Sequence, residues 1–278
     1  MKVLDELIEL QNKNGYLYQG DRCRTVFAPA LGARVFCELD GRLLHRLDIE
    51  NVRNPNKSFN NYGGNNFWPA PEGGPYGFNY RGKEWYVQPA INKEPFAIQT
   101  RTSNRAKAVK QVMLHNRFGA ELEVIMQREF GMDRVPEQIR SLEPAASLAY
   151  TVTDSLEVRN EITTGQALIA CWTLEQFDAT DQTVAFAKVG NPQQAINFDF
   201  YEHPQDRIRY GRDGFFYRVD GQKKGQIGIR KAAQAEYIGF YDLENKLLCI
   251  REIISQSGGL YFNMADNEQS QGPFSAAD

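Results

Sequence analysis

Between Asn60 and Tyr80 the chain reads NNYGGNNFWPAPEGGPYGFNY, which sets Tyr62, Asn65, Asn66, Trp68 and Glu72 within a few residues of one another. Trp85 follows shortly after. An aromatic face stacks on the C–H side of a pyranose, while amides and carboxylates hydrogen-bond its hydroxyls. The mixture is therefore the chemistry of sugar recognition. Five glycines and three prolines in the segment exclude a helix and predict a tight loop. On the alternative reading, Trp68 and Trp85 are core plugs and the glycines only turn the chain.

A second group, Cys171 to Asp178, reads CWTLEQFD at the end of an apolar run. Trp172, Glu175 and Asp178 could line a cleft and offer an acid and a base. Glu175 and Asp178 are three residues apart, so an extended chain points them to opposite faces. Glu175 with Glu72 from the other segment is then the better acid–base pair. The bland alternative has solvated carboxylates and a core Trp172. Arg22, Arg24 and Arg34 could share one strand face, where guanidinium forks suit the hydroxyls or carboxylate of a sugar acid; ordinary surface charge would read the same. His45, His115 and His203 each lack an orienting acid at motif spacing and read as structural or surface histidines.

The absences narrow the field. There is no GxSxG elbow, no Walker lysine loop, no GxGxxG and no HExxH, which removes serine-elbow hydrolases, nucleotide enzymes and zinc proteases from the leading readings. No cofactor or metal is expected. Lys and Arg total 32 against 35 Asp and Glu, a net charge of −3 that offers no general grip on nucleic acid. No run approaches the ~20 apolar residues of a membrane span. The acidic opening MKVLDELIELQ lacks the hydrophobic core of a secretory leader, so the chain reads as cytoplasmic, although a secreted protein freed of its leader would look similar. Cys23, Cys37, Cys171 and Cys249 are widely spaced in apolar stretches and predict buried free thiols.

The elements that must position these groups are mostly strands. Val3, Leu4, Leu7 and Ile8 recur at helical spacing and predict a short N-terminal helix within residues 1–12. From Tyr16 onward, short alternating runs broken by turns take over. The clearest are Arg34 to Leu39 before Asp40-Gly41, Lys107 to Leu114, Glu121 to Phe130, and Ser147 to Thr153 with a turn at Asp154-Ser155. Phe215 to Val219, Gln226 to Arg230, Tyr237 to Tyr241 and Lys246 to Ile253 follow. Many close antiparallel strands predict an all-β fold, a large β-sandwich. No linker or repeat divides residues 1–278, which read as one domain.

Gly32-Ala33-Arg34-Val35 followed by Asp40-Gly41-Arg42-Leu43-Leu44 resembles the opening strands of the galactose mutarotase-like superfamily. The run from Tyr62 to Gly74 resembles the Gly-Gly, Trp-Pro and Pro-Glu-Gly block of uncharacterised bacterial members of that group, and Leu156 to Ile162 resembles a later strand with its asparagine. The resemblance implies an antiparallel β-supersandwich with a sugar-binding cleft on its concave sheet. Aldose 1-epimerases of the group use a histidine acid and a glutamate base. Here Cys171-Trp172-Thr173 stands where the resemblance expects the acid, and Leu260-Tyr261-Phe262-Asn263 where it expects the base, with Asn263 left as a ligand contact. The expectation is a protein that binds a sugar or oligosaccharide. An epimerase-like or glycoside-processing enzyme is the first alternative, and a non-enzymatic protein-interaction domain the second.

Overall fold

The structure, a computed structural model, describes residues 3–11, 15–198, 203–252 and 254. The all-β expectation holds: among the described residues every strand pairing is antiparallel and the helices are short. The contacts gather into two compact units, Met1–Asp178 and Ala179–Asp278, where the sequence reads as one domain. Among the described residues no helix is long and apolar enough to cross a membrane.

The first unit opens with helix α1 (Val3–Leu10), whose Leu4 and Leu7 are buried. Strands β1 (Tyr16–Gln19), β2 (Cys23–Ala28), β3 (Arg34–Leu39) and β4 (Arg42–Leu43) follow, then α2 (Ile49–Arg53) and β5 (Gly64–Ala70). A small hairpin, β6 (Tyr80–Arg81) and β7 (Glu84–Trp85), and α3 (Pro89–Asn92) lead to β8 (Ala97–Arg101), β9 (Arg105–His115) and β10 (Glu121–Asp133). The unit closes with α4 (Glu137–Arg140), β11 (Ala149–Val158) and β12 (Ala170–Gln176).

One sheet runs β1-β2-β3-β5-β12, with β4 on β3; the other runs β11-β10-β9-β8. Their facing sides share one core, in which Phe27, Val35, Cys37 and Phe67 of the first meet Ala106, Ala108, Leu122, Val124, Met126 and Phe130 of the second. Alternation of buried and more open side chains along β9, and along β10 as far as Phe130, leads to this arrangement, because one side of each strand must leave water. The first sheet's other face is covered in part by α1 and α2, through Leu4, Leu7, Val26, Ala28, Phe36 and Tyr62. Asp40 and Gly41 link β3 to β4 with φ of 53° and 77°, the paired positive values that a tight hairpin turn requires.

Three expectations are corrected. Gly64–Ala70 is not loop but a wholly buried strand inside the first sheet. Its Gly, Asn and Pro content hides it, and its ladder to β3 is a single pair, Val35↔Asn65. Asp154-Ser155 is not a turn: β11 runs straight through it, because the Asp154 carboxylate meets Arg128 across the ladder instead of capping a bend. The cysteines are free, but only Cys37 is buried; Cys171 is exposed at the start of β12.

The second unit holds β13 (Thr183–Lys188), β14 (Ile196–Asn197), β15 (Ile208–Tyr210), β16 (Gly214–Arg218), β17 (Gly228–Ile229), β18 (Tyr237–Asp242) and β19 (Leu247–Arg251). Its sheet runs β15-β16-β13-β18-β19, and β14 pairs with β17. Ala187, Val189, Ala195, Ile196 and Phe215 form its own small core.

Candidate functional site

The ladder between β5 and β12 is regular from Ala70↔Ala170 to Gly64↔Gln176. Side chains on both strands therefore alternate without a slip. Asn65, Thr173 and Glu175 face the second sheet. Asn66, Trp68, Trp172, Leu174 and Gln176 leave the opposite face.

On the inner face a chain of polar contacts joins the two sheets. The His45 Nδ1 accepts the Cys37 N–H at 3.0 Å, which leaves the proton of the neutral imidazole on Nε2, 2.8 Å from Glu175 Oε1. The Tyr150 hydroxyl donates to the same oxygen and accepts from Asn65 Nδ2 at 3.3 Å. Burial first, and then the charge of Glu175, push the Tyr150 phenol well above its usual range, so it stays a donor. Asn65 Oδ1 accepts from Arg128, whose Nη1 also donates to the Asn65 and Ala33 carbonyls at 2.9 and 3.2 Å. One carbonyl lies in β5 and the other immediately before β3, strands that share only one ladder pair, so the guanidinium ties the start of β3 to β5. Arg128 Nε lies 3.0 Å from Asp154 Oδ1, and Asp154 Oδ2 accepts from Thr173 Oγ1 at 2.6 Å. With both Oε1 donors supplied by protein and both neighbouring sheets engaged, Glu175 acts as part of a clamp.

The outer face is different. Trp68 and Trp172 are cross-strand partners with ring centroids 6.4 Å apart and planes at 79°. Phe59 meets the edge of Trp68 at 5.9 Å and of Trp85 at 5.1 Å. Trp68 is buried, Trp172 half-buried and Trp85 46% exposed, so the indoles grade from core to solvent. One register step from Val35↔Asn65 puts Arg34 beside Asn66 on this face. Arg34 donates to the Gly63 carbonyl at 2.6 Å and its guanidinium carbon lies 5.5 Å from the centre of the Tyr62 ring.

Several polar atoms here lack protein partners. Arg34 Nε and Gln176 Oε1 are sealed from solvent without a hydrogen bond. The Asn66 amide is buried and makes no side-chain hydrogen bond among the described residues; its Oδ1 stands 3.7 Å from where a Cβ on Gly32 would be. Buried polar groups in native proteins are nearly always satisfied, so Arg34 Nε and Gln176 Oε1 are exceptions that the chain's own groups do not account for.

The expected site residues thus divide. Arg34 meets Tyr62 and lies beside Asn66 in register, while Trp68 and Trp172 meet two residues further along the ladder, Trp68 in the larger core cluster and Trp172 packed against it, with Trp85 joined through Phe59. Asn65 and Glu175 belong to the inner clamp, so Trp172 and Glu175 do not line one cleft. Glu72 follows the end of β5 at Ala70, whereas Glu175 is paired near the other end, opposite Asn65. Those two carboxylates stem from opposite ends of one ladder. Asp178 is exposed beyond β12. Asn263 lies outside the described residues, as do Asp266 and Glu268. Among the described residues no three His, Cys, Asp or Glu side chains gather as a metal site.

Four residues of the clamp were not picked out by motif: His45, Tyr150, Arg128 and Asp154. A signal for two of them was present. Arg128 falls on the apolar phase of Leu122, Val124, Met126 and Phe130, and Asp154 on that of Val152, Leu156 and Val158. A charge on each of two buried phases is the mark of a buried pair.

Residues 39–276 match the model of Family of unknown function (DUF6786). No curated protein matches the chain at a significant level. Among solved structures, the chain is similar to a galactose mutarotase-like protein from Lactobacillus casei ATCC 334, with 11% identity and a TM-score of 0.43 over 83% of this chain and 76% of that one.

Proposed function

The chain belongs to that family of unknown function, and from its own residues we propose that it binds a sugar or oligosaccharide on the outer face of β3, β5 and β12. The observation that carries this reading is the occurrence, on one face of the sheet, of the unpartnered Arg34 Nε and Gln176 Oε1 and the buried Asn66 amide along with the Trp68–Trp172 indole pair. A pyranose has complementary needs: its hydroxyls donate and accept, and its axial hydrogens present an apolar patch to an indole. Trp172, the half-buried member, offers the stacking surface; Trp68 fixes its tilt from below.

Binding is favoured over ring-opening or glycoside cleavage by the position of Glu175. Acid–base catalysis needs a carboxylate within hydrogen-bond reach of the reacting atoms. Glu175 leaves the opposite face and is held there by His45 and Tyr150.

Titration calorimetry of the full chain against a panel of mono- and oligosaccharides tests the reading. A saturable heat that falls at least ~10-fold in affinity in Trp172→Ala, the loss of a major aromatic contact, is the expected result. No heat with any neutral or acidic saccharide would remove it.

A further inference from the structure

Three other guanidinium groups held wholly or partly inside the protein each meet a carboxylate. Arg128 has Asp154 at 3.0 Å, Arg24 has Glu38 at 2.8 Å, and Arg207 has Asp220. Arg34 does not follow them. It keeps only 3% of its surface, yet its contacts are the Gly63 carbonyl and the face of Tyr62. Among the described residues no carboxylate comes within ion-pair distance of it, and its Nε donor is sealed with no acceptor.

The surroundings sharpen the imbalance. Arg46 and Arg128 are close enough to act on Arg34, and both are already committed, Arg46 to the Asn61 carbonyl and Asp48, Arg128 to Asp154. Burial first, and then the charge of Arg128, bring the Arg34 guanidinium down to about 9. A buried charge without a counter-charge is strongly unfavourable, and proteins ordinarily pair it. Arg34 therefore stands as a cation prepared for a negative group that the chain itself does not supply. A forked guanidinium matches the two oxygens of a carboxylate or phosphoryl group, and Asn66 beside it can meet a neighbouring hydroxyl.

Resting on the reading that this face binds a sugar, we infer that the sugar carries an anionic oxyacid group and that Arg34 receives it. The neutral saccharide is then a weaker ligand lacking the charged contact. The two sources of such a group, a uronic carboxylate and a sugar phosphate, share this chemistry and differ in reach.

The test is calorimetric titration of the full chain with glucuronate and galacturonate, their methyl esters, glucose 6-phosphate, galactose 6-phosphate, and the neutral parent sugars. An acid should bind at least ~10-fold more tightly than its own ester and parent, the scale of one charge-assisted hydrogen bond. Which acid does so, uronate or phosphate, identifies the source. Arg34→Gln should abolish the preference, so that acid, ester and parent bind within ~3-fold of one another in the variant whatever its absolute affinity, since the charged contact is what sets the acid apart. The acid–ester comparison is made in the wild-type protein and stands whether or not that variant folds. Equal affinity for acid, ester and parent would overturn the inference and leave the sugar site standing. Absence of binding by every form would overturn the sugar site itself, and the inference with it.

Discussion

Trp172 and Glu175, three residues apart on β12, leave the strand on opposite faces of the sheet. That relationship separates two jobs. Glu175 turns inward to a clamp that holds the sheets together, and Trp172 leaves the other side to meet the Trp68 indole. Binding on one face is therefore separable from stability on the other.

Substitutions on the two faces should show this separation. Glu175→Gln removes the charge that accepts from His45 and Tyr150 and should lower stability by about 1.5–3 kcal/mol in urea unfolding, the range for hydrogen bonds to charged groups. Sugar affinity should stay within a few-fold of wild type. Trp172→Ala should do the reverse, lowering affinity at least ~10-fold. Loss of binding in Glu175→Gln, with the fold intact by circular dichroism, would mean that the carboxylate touches the ligand after all.

Arg128 and Asp154 give the strongest stability prediction. Both are buried, and Arg128 also satisfies the Ala33 and Asn65 carbonyls. Asp154→Ala leaves a buried guanidinium without its acid and should destabilise by about 3–5 kcal/mol. Arg128→Met alone leaves Asp154 as the orphan and should be as harmful. The double variant Arg128→Met/Asp154→Leu removes both charges and should be less destabilised than either single change. A purely additive double variant, measured by urea midpoints, would show that the pair is not coupled.

Lys110 supplies a pH dependence. It is buried on β9, and its Nζ donates to the carbonyls of Ala90, Ile91 and Glu94 at 2.5, 3.3 and 3.4 Å. Burial lowers it from 10.5 to about 7, an effect that Glu94 partly offsets. Between those values the unfolded chain binds the proton and the folded chain does not, so stability rises as pH increases from about 7. Tyr150 acts in the other direction only above its ordinary value of 10.0, where the folded protein holds the phenol proton more tightly than the unfolded chain and stability declines as pH climbs. Urea unfolding between pH 7 and 9 should show the rise in wild type and a flattened profile in Lys110→Met. A wild-type profile that falls across this window would contradict the assignment.

Much of the sheet structure was legible in the sequence, and the failures have local causes. Lys107 to Leu114 and Glu121 to Phe130 alternate cleanly and became β9 and β10, with boundaries extended by a few residues. Gly64–Ala70 reads as loop in the sequence because Arg128, on the Ala33 and Asn65 carbonyls, helps hold a strand whose ladder to β3 is a single pair, and no propensity scale sees a side chain from another strand. Asp154 was read as a turn residue for the same reason: its carboxylate is used by Arg128 and Thr173, not by its own backbone. At the site, the aromatic and amide residues were picked out by type. Their division between two faces was not, because it depends on the register of β12 against β5, which one sequence does not reveal.

Charge compensation follows a different logic from pattern. His45 has no orienting acid at motif spacing and finds Glu175, 130 residues away, across the fold. Arg34 sits in a strand beside apolar neighbours and finds none. The two residues look alike in sequence, and only the fold distinguishes the one with its partner in place from the one without.

The most direct measurement is the position of a bound saccharide in a crystal of the chain soaked with the tightest ligand from the calorimetric panel. The account requires the ring against Trp172 on the outer face of β5 and β12, with ligand oxygens on Arg34 and Asn66. A ring seated instead among Glu175, His45 and Tyr150, or in the second unit, would contradict it.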